Sequence, residues 1–230
     1  LSPTGEVARE ISVPLRGENT VSFLLEQTQI TVYTQIADVS SGSQFIFMRF
    51  ENPMSGIWRI LIRNSLDIRE TFHIWLPVRG FISDETYFLR PDPDTTITDP
   101  GNARYPITVT AYDHTKNSIY IHASRGYSLS GQIKPDLAAP GVNILGASVS
   151  GRRLTRMSGT SVSAAPPPSA AAILLNWGVL NANYPYLNTP VLKSIFVRGA
   201  QRNPALTYPN REFGYGTLNL YEAFLHLRNL

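Results

Sequence analysis

The amino-acid sequence predicts an α/β fold preceded by an antiparallel β region, and three patterns lead to this prediction. Residues 7–78 place apolar side chains at every second position, which is typical of half-buried strands. Residues 91–106 form a connector rich in proline and aspartate. From Ile107 onward, short apolar runs alternate with segments of helical periodicity. We therefore expect a β domain over residues 1–105 and an α/β domain over residues 106–230.

The strands predicted in the first part are short and are separated by clusters of Gly, Asn, Ser and Pro. Such spacing is typical of an antiparallel sandwich or jelly roll. A jelly roll can bind carbohydrate, but no pattern here marks a ligand site, so a packing and shielding role is favoured. The alternating sets are Ile11, Val13 and Leu15; Val21, Phe23 and Leu25; Ile30, Val32, Thr34 and Ile36; Trp58, Ile60 and Ile62; and Phe72, Ile74 and Leu76.

The second part contains two predicted strands and three predicted helices. Ile107–Ala111 and Ser118–Ala123 have the apolar, β-branched composition of strands. Ala170–Trp177 is apolar on nearly every face, which predicts a helix buried at the centre of the domain. Pro190–Arg198 and Leu218–Leu227 each carry one apolar stripe, which predicts helices that lie on the surface of the core.

Composition excludes several classes of function. A chain of 230 residues with 43% hydrophobic and 16% charged residues can bury a core and does not have the composition of a disordered protein. The net charge of +3 comes from scattered residues, so no nucleic-acid partner is expected. The absence of cysteine excludes disulfides and thiol chemistry. The longest apolar run, Ala164–Leu175, is interrupted by prolines and is too short to span a membrane.

Neither a cofactor nor a metal ion is expected. Asp92, Asp94 and Asp99 in the connector could supply oxygen ligands, but prolines flank them and their spacing fits no calcium loop. They are better interpreted as turn residues. The first residues, Leu1–Glu6, lack the pattern of a signal peptide and contain no methionine, so we expect the chain to be a piece of a longer polypeptide.

The segment with the strongest chemical signal is Met157–Ala165, which contains Gly159, Thr160 and Ser161. A glycine turn that leads into a helix start can expose a serine hydroxyl beside unpaired backbone N–H groups. Such N–H groups and the helix dipole stabilise an oxyanion, as acyl transfer to a serine requires. Alone, Gly-Thr-Ser is more often an ordinary turn or a helix N-cap.

Two flanking segments add context to this turn. Upstream, Ile133–Ile144 reads Lys-Pro-Asp-Leu-Ala-Ala-Pro-Gly-Val in its centre, and downstream Gly214–Leu220 reads Gly-Tyr-Gly-Thr-Leu-Asn-Leu. The three segments, in this order, resemble the C-terminal half of a subtilisin-like serine protease, or subtilase. The resemblance covers about residues 106–230, and Ser124–Gly126 matches a further turn of the family. In addition, Gly56–Ile60 and Phe72–Pro77 resemble the jelly-roll insertion of clostridial-type subtilases, which include the spore-germination proteases.

The resemblance implies a serine endopeptidase whose triad follows the chain order Asp, His, Ser. It places the nucleophile at Ser161, with Gly159 and Thr160 supporting the nucleophile turn and the oxyanion. Neither Asp-Ser/Thr-Gly nor His-Gly-Thr-His occurs in the sequence. The aspartate, the histidine and the oxyanion-hole asparagine are therefore expected on the N-terminal part of the same protease, and the isolated chain is predicted to be inactive because its serine lacks a base. His73, His114, His122 and His226 are interpreted as surface or core-edge residues.

The sequence departs from the subtilase pattern at Pro166-Pro167-Pro168, which lies beyond the first helical turn counted from Ser161. A proline inside a helix destabilises the helix by about 3 kcal/mol, so either the helix is delayed to about Pro168 or it continues with a kink.

Two functions are compatible with the sequence: an endopeptidase portion that acts on protein or peptide substrates, or a non-catalytic pseudoprotease that acts as a binding or signalling partner. A carbohydrate-binding jelly roll is a third and weaker interpretation. The resemblance favours an extracellular, cell-envelope or spore-associated location.

Overall fold

The computed structural model describes residues 1–8, 10–11, 16–38, 43–63, 71–78, 80–149, 151 and 153–228. The chain divides into two compact units, Leu1–His73 and Ile74–Leu230. The boundary expected between residues 105 and 106 stays a sequence-based prediction.

The first unit contains a three-stranded antiparallel sheet. Its strands are β1 (Gly17–Ser22), β2 (Gln29–Asp38) and β3 (Ser43–Glu51), in the order β1-β2-β3. In the register, Val32 of β2 lies opposite Asn19 on one side and Met48 on the other. The small antiparallel sheet agrees with the period-two pattern of this part of the sequence.

A cluster of aromatic rings packs beside this sheet. The Trp58 ring meets Phe23 edge-on at a centroid distance of 5.2 Å and Phe50 at 5.6 Å. The indole N–H of Trp58 donates to the carbonyl of Met54 over 3.0 Å, so its polar atom is also paired. Phe23 is buried, and this cluster forms the core of the first unit together with Val32.

Two of the predicted strands have no strand assignment among the residues that the structure describes. The runs at Trp58–Ile62 and Phe72–Leu76 carry no ladder, and Ile62 and Phe72 are 54% and 62% exposed. An apolar alternation becomes a strand only where a neighbour supplies a series of backbone hydrogen bonds. In the Trp58–Ile62 run, Arg59 exchanges two backbone hydrogen bonds with Leu1, over 3.0 and 2.8 Å, and this single pair does not extend into a ladder among the described residues. The predicted alternation at Val13 and Leu15 lies outside the described residues.

The second unit has a mixed sheet formed by β4 (Val109–Asp113), β5 (Ser118–Ile119) and β6 (Leu137–Pro140), in the order β5-β4-β6. β4 and β6 are parallel, and β5 is antiparallel to β4. Ala138 of β6 also forms a parallel bridge with Thr217. The prediction of a strand over Ser118–Ala123 was too long, because the chain turns at residues 121 and 122.

An antiparallel hairpin, β7 (Ile144–Ala147) and β8 (Leu154–Met157), follows β6. The helices that come after it are α1 (Thr160–Ser163), α2 (Pro166–Leu175), α3 (Thr189–Arg198) and α4 (Leu220–Arg228), and α2 continues into a wider π-helical turn at Asn176–Leu180. The buried core of this unit consists of Leu137, Ala170, Leu174, Leu187, Leu192, Ile195, Phe196, Ala200 and Ala223. The inner face predicted for α3 is confirmed.

Helix α2 differs from the helix predicted at Ala170–Trp177 in two ways. It begins earlier, at Pro166, and only one of its faces is covered: Leu174 is fully buried, whereas Ile173 is 52% exposed. The apolar composition of the helix on nearly every side predicts cover all round, whereas the described residues cover one face.

A buried ionic cluster fixes the loop before β6 to the rest of the second unit. The Lys134 ammonium and the Asp136 carboxylate are each 1% exposed, and they are joined by a hydrogen bond of 2.9 Å. The Lys193 ammonium of α3 reaches the other oxygen of Asp136 at 2.5 Å. Burial lowers the pKa of Lys134, and the hydrogen bond to Asp136 opposes that shift. One carboxylate thus holds two lysines that are far apart in the sequence.

The N-terminus of α3 is capped by Asn188, whose side-chain oxygen accepts from the Val191 N–H over 3.2 Å. We expect Asn188→Ala to lower the free energy of unfolding by about 1 kcal/mol, because that N–H loses its acceptor. Asn188→Asp keeps the acceptor and is expected to stay close to wild type. Urea unfolding of the three proteins measures the difference, and equal midpoints for Asn188→Ala and wild type would contradict the assignment.

Over the described part of the chain, no helix combines the length and the apolar character that crossing a membrane requires.

Candidate active site

The turn that contains Gly159, Thr160 and Ser161 is tied to the central sheet by backbone hydrogen bonds. The Gly159 N–H donates to the Gly141 carbonyl over 2.8 Å, and the Gly141 N–H donates to the Tyr112 carbonyl of β4 over 3.0 Å. A Cβ on Gly141 would lie 2.7 Å from the Ala111 methyl and 2.9 Å from the Gly159 oxygen. Only glycine allows the loop after β6 to pass this close to the turn.

Three serine hydroxyls lie within six residues of one another in this segment, and the structure distinguishes them. The Ser158 hydroxyl accepts from the Asn143 N–H over 2.9 Å. The Ser163 hydroxyl is buried and donates to the Thr160 carbonyl over 2.7 Å. Ser161 is exposed, and no described residue forms a hydrogen bond with its hydroxyl. Of the three, Ser161 combines exposure with a hydroxyl that has no hydrogen-bond partner among the described residues.

The prolines determine how Ser161 relates to the helices. Ser161 lies in α1, a single turn of four residues, and α2 begins only at Pro166. Ala164 and Ala165 keep helical dihedral angles, but Pro166, Pro167 and Pro168 have no N–H to donate to the preceding turn. Of the two outcomes expected from the sequence, the structure lies nearer to the delayed helix, although α2 begins at Pro166 rather than at about Pro168 and Ser161 lies in a separate helical turn rather than a loop. The dipole of α2 therefore acts less on Ser161.

The histidines of the second unit do not supply a base to this turn. His114 and His122 lie in turns, and His226 lies on the exposed side of α4. The ring of His122 packs against Tyr120 at a centroid distance of 5.3 Å. Within the described part of the second unit, none of the three is hydrogen-bonded to Ser161, which leaves the serine without a proton acceptor there. The prediction that His122 belongs to a strand was wrong, since β5 ends at Ile119.

No group of histidine and acidic side chains among the described residues is arranged to hold a metal ion. Asp94 of the connector is instead paired with Arg211 over 3.0 Å, while Asp92 accepts from the Asp94 N–H over 2.9 Å. These contacts are those of turn residues held against a neighbouring loop.

The family assignment follows from the match over the segments just described. The sequence profile of the subtilase family, Peptidase_S8, matches residues 89–216, which include the Lys134–Asp136 segment, the Gly159–Ser161 turn and the start of the Gly214–Leu220 segment. This match spans more than half of the chain. The chain belongs to the subtilase family. A comparison with curated proteins found no match for this subtilase chain.

The chain is also similar to solved structures of other proteases. The Clostridium perfringens CspB protease is 29% identical to this subtilase, with a TM-score of 0.83, and the alignment covers 100% of this chain and 49% of that protein. The prenylagaramide maturation protease PagA is 25% identical, with a TM-score of 0.47, and the alignment covers 59% of this chain and 47% of that protein. The self-cleaved protease domain of PatA is also 25% identical, with a TM-score of 0.45, and the alignment covers 60% of this chain and 47% of that protein. The subtilase described here thus spans about half the length of the CspB structure.

Two features of the site were not predicted from the sequence. One is the hydrogen bond between Ser158 and Asn143, which requires knowing that β7 and β8 form a hairpin. The other is Lys193, which joins the buried cluster from a helix 57 residues further along the chain than Asp136. The only signal for the cluster was the presence of Lys134 and Asp136 within an otherwise apolar run.

Proposed function

We propose that this chain is the portion of a subtilisin-like serine endopeptidase that supplies the nucleophile, Ser161, for hydrolysis of protein or peptide substrates. The observation that carries the proposal is the exposed hydroxyl of Ser161, which forms no hydrogen bond with any described residue, on a turn that is anchored to the sheet through Gly159 and Gly141. In the proposed reaction the serine oxygen attacks the substrate carbonyl carbon while a histidine takes its proton, and an aspartate orients that histidine. Gly159 and Thr160 support the nucleophile turn and the oxyanion.

The histidine, the aspartate and the oxyanion-hole asparagine are proposed to come from the N-terminal part of the same protease. The uncovered face of α2 supports this assignment, because Ile173, Leu175 and Val179 are 52%, 37% and 40% exposed on a helix that is apolar on all sides. Exposed apolar surface of this kind marks an interaction site. A second half of the catalytic domain, packed against α2, would cover this face and bring the proton acceptor to Ser161.

The first unit is proposed to belong to a jelly-roll insertion with a packing and shielding role, which would extend to residue 105. Its antiparallel sheet and its aromatic core at Trp58 support this proposal. An extracellular, cell-envelope or spore-associated location is part of the same proposal, by likeness to the CspB protease.

A fluorophosphonate probe tests the proposed function directly. The chain is expressed together with its natural upstream sequence, and in parallel as residues 1–230 alone, and both are treated with the probe at neutral pH. We expect labelling of the longer protein and none of the 230-residue chain, since an unassisted serine hydroxyl reacts slowly. Strong labelling of the 230-residue chain would show that it contains its own base.

The second candidate function is a non-catalytic pseudoprotease that acts as a binding or signalling partner. One observation favours it: Pro166–Pro168 separate the nucleophile turn from α2, so the helix dipole assists Ser161 less. A folded longer protein that the probe fails to label would support this candidate. Labelling at Ser161 would exclude it.

A further inference from the structure

The loop before β7 and the segment after β8 are joined at Asn143 by contacts that the β ladder itself does not provide. The ladder between β7 and β8 ends at the pair Ile144 and Met157. One step further along, the Ser158 hydroxyl accepts from the Asn143 N–H over 2.9 Å. The guanidinium of Arg156 donates to the Asn143 carbonyl over 2.9 Å. Both backbone groups of Asn143 are thus bound by side chains, one from β8 and one from the residue that follows it on the way to the nucleophile turn.

Asn143 itself has a left-handed backbone, with φ of 55°. Non-glycine residues adopt this conformation rarely, and asparagine adopts it more readily than most. The left-handed residue redirects the chain between the tight passage at Gly141 and the start of β7 at Ile144. Its two hydrogen bonds fix the direction in which the chain leaves Gly141.

These contacts form a continuous connection to Ser161. Asn143 lies two residues after Gly141, whose carbonyl accepts from the Gly159 N–H over 2.8 Å. The Gly159 carbonyl in turn accepts from the Val162 and Ser163 N–H groups over 3.2 and 3.3 Å. Ser158 is the residue before Gly159, so its bond to Asn143 and the bond from Gly159 to Gly141 act as two adjacent rungs. With both hydrogen bonds in place, the nucleophile turn cannot rotate about either bond alone.

We propose that Ser158 and Arg156 are positioning residues for the nucleophile turn: by holding both backbone groups of Asn143, they fix the orientation in which Ser161 is presented. This inference rests on the proposed function of Ser161. Ser158 and Arg156 act through Asn143 and Gly159 and do not contact the substrate. Their removal changes the reactivity of Ser161 more than it changes the stability of the fold, because all three residues lie at the surface of the unit.

The test measures the second-order rate of fluorophosphonate labelling in the longer protein, with thermal unfolding measured in parallel. We expect Ser158→Ala and Arg156→Ala each to slow labelling by about 3- to 10-fold, the effect of losing one hydrogen bond from the reactive geometry. Ser158→Thr keeps the hydroxyl and is expected to restore most of the rate. Arg153→Ala, an exposed arginine one residue before β8, is the matched control and is expected to label at the wild-type rate.

Hydrogen exchange provides a second measurement, which does not depend on the reactivity of Ser161. Hydrogen exchange of the Asn143 amide is expected to accelerate in Ser158→Ala and not in Arg153→Ala, since the variant lacks the acceptor for that N–H. The proposal is overturned if wild type is labelled at Ser161 while Ser158→Ala and Arg156→Ala label equally fast. It is also overturned if the Asn143 amide exchanges at the same rate with and without the Ser158 hydroxyl. Failure of the proposed function is distinct, because wild type itself would then remain unlabelled.

Discussion

Ser161→Ala in the longer protein is expected to reduce fluorophosphonate labelling and peptide hydrolysis to background, a loss of at least about 10³-fold. The reason is that Ser161 is the proposed nucleophile, with an exposed hydroxyl on the anchored turn and no hydrogen-bond partner for it among the described residues. Mass spectrometry of the labelled protein locates the modified residue, and hydrolysis of a fluorogenic peptide gives the rate. The measurement therefore tests both the residue and the reaction.

The neighbouring serines provide matched controls for this substitution. Ser163→Ala removes a buried hydroxyl that donates to the Thr160 carbonyl, so it is expected to lower the free energy of unfolding by about 1 kcal/mol while labelling at Ser161 persists. Ser158→Ala is expected to slow labelling without abolishing it. If Ser161→Ala were labelled as strongly as wild type, or if the label were found on Ser158 or Ser163, the assignment of the nucleophile would be wrong.

Asp136→Asn is expected to have the largest effect on stability, a loss of about 3–5 kcal/mol, because it leaves buried lysine charge uncompensated. The Asp136 carboxylate is 1% exposed, binds the ammonium groups of Lys134 and Lys193, and accepts from the Thr108 N–H over 2.7 Å. Asparagine keeps an acceptor for that N–H but removes the charge. Urea unfolding of the longer protein measures the change.

Two further variants separate charge from packing in this cluster. Asp99→Asn, at an exposed aspartate of the connector, is expected to change the free energy of unfolding by less than about 0.5 kcal/mol. Lys134→Met combined with Asp136→Leu removes both buried charges and is expected to be more stable than Asp136→Asn alone. The interpretation fails if Asp136→Asn unfolds at the wild-type urea concentration, or if the double variant is the less stable of the two.

The sequence predicted most reliably those elements whose side chains carry a clear period or a terminal signal. Helix α3 illustrates this: it was predicted from Pro190 to Arg198 with one apolar stripe, and it runs from Thr189 to Arg198 with Leu192, Ile195 and Phe196 buried. β2 is a second example, because its alternation is sustained over ten residues. In both elements the local pattern and the tertiary environment favour the same structure.

Predictions failed where the outcome depends on a neighbour that the pattern cannot identify. The run at Trp58–Ile62 alternates as a strand should, yet among the described residues Arg59 pairs only with Leu1 and no ladder follows. At the site, the Gly-Thr-Ser motif located the turn, whereas the choice among Ser158, Ser161 and Ser163 by geometry required hydrogen bonds from distant residues. The three prolines were recognised as a disruption, but whether α2 would begin at Pro166 or Pro168 depends on backbone angles at Ala164 and Ala165.

Because of the consecutive prolines, the nucleophile turn can unfold locally without unfolding α2, the helix that follows it. Pro166, Pro167 and Pro168 donate no rung to the carbonyls of the preceding turn, so α1 can unwind and close again while every rung within α2 stays intact. If α1 and α2 were one uninterrupted helix, the two segments would unfold together. The turn that carries Ser161 can therefore open locally while the hydrogen bonds of α2 stay formed, which gives it a lower opening free energy than the helix.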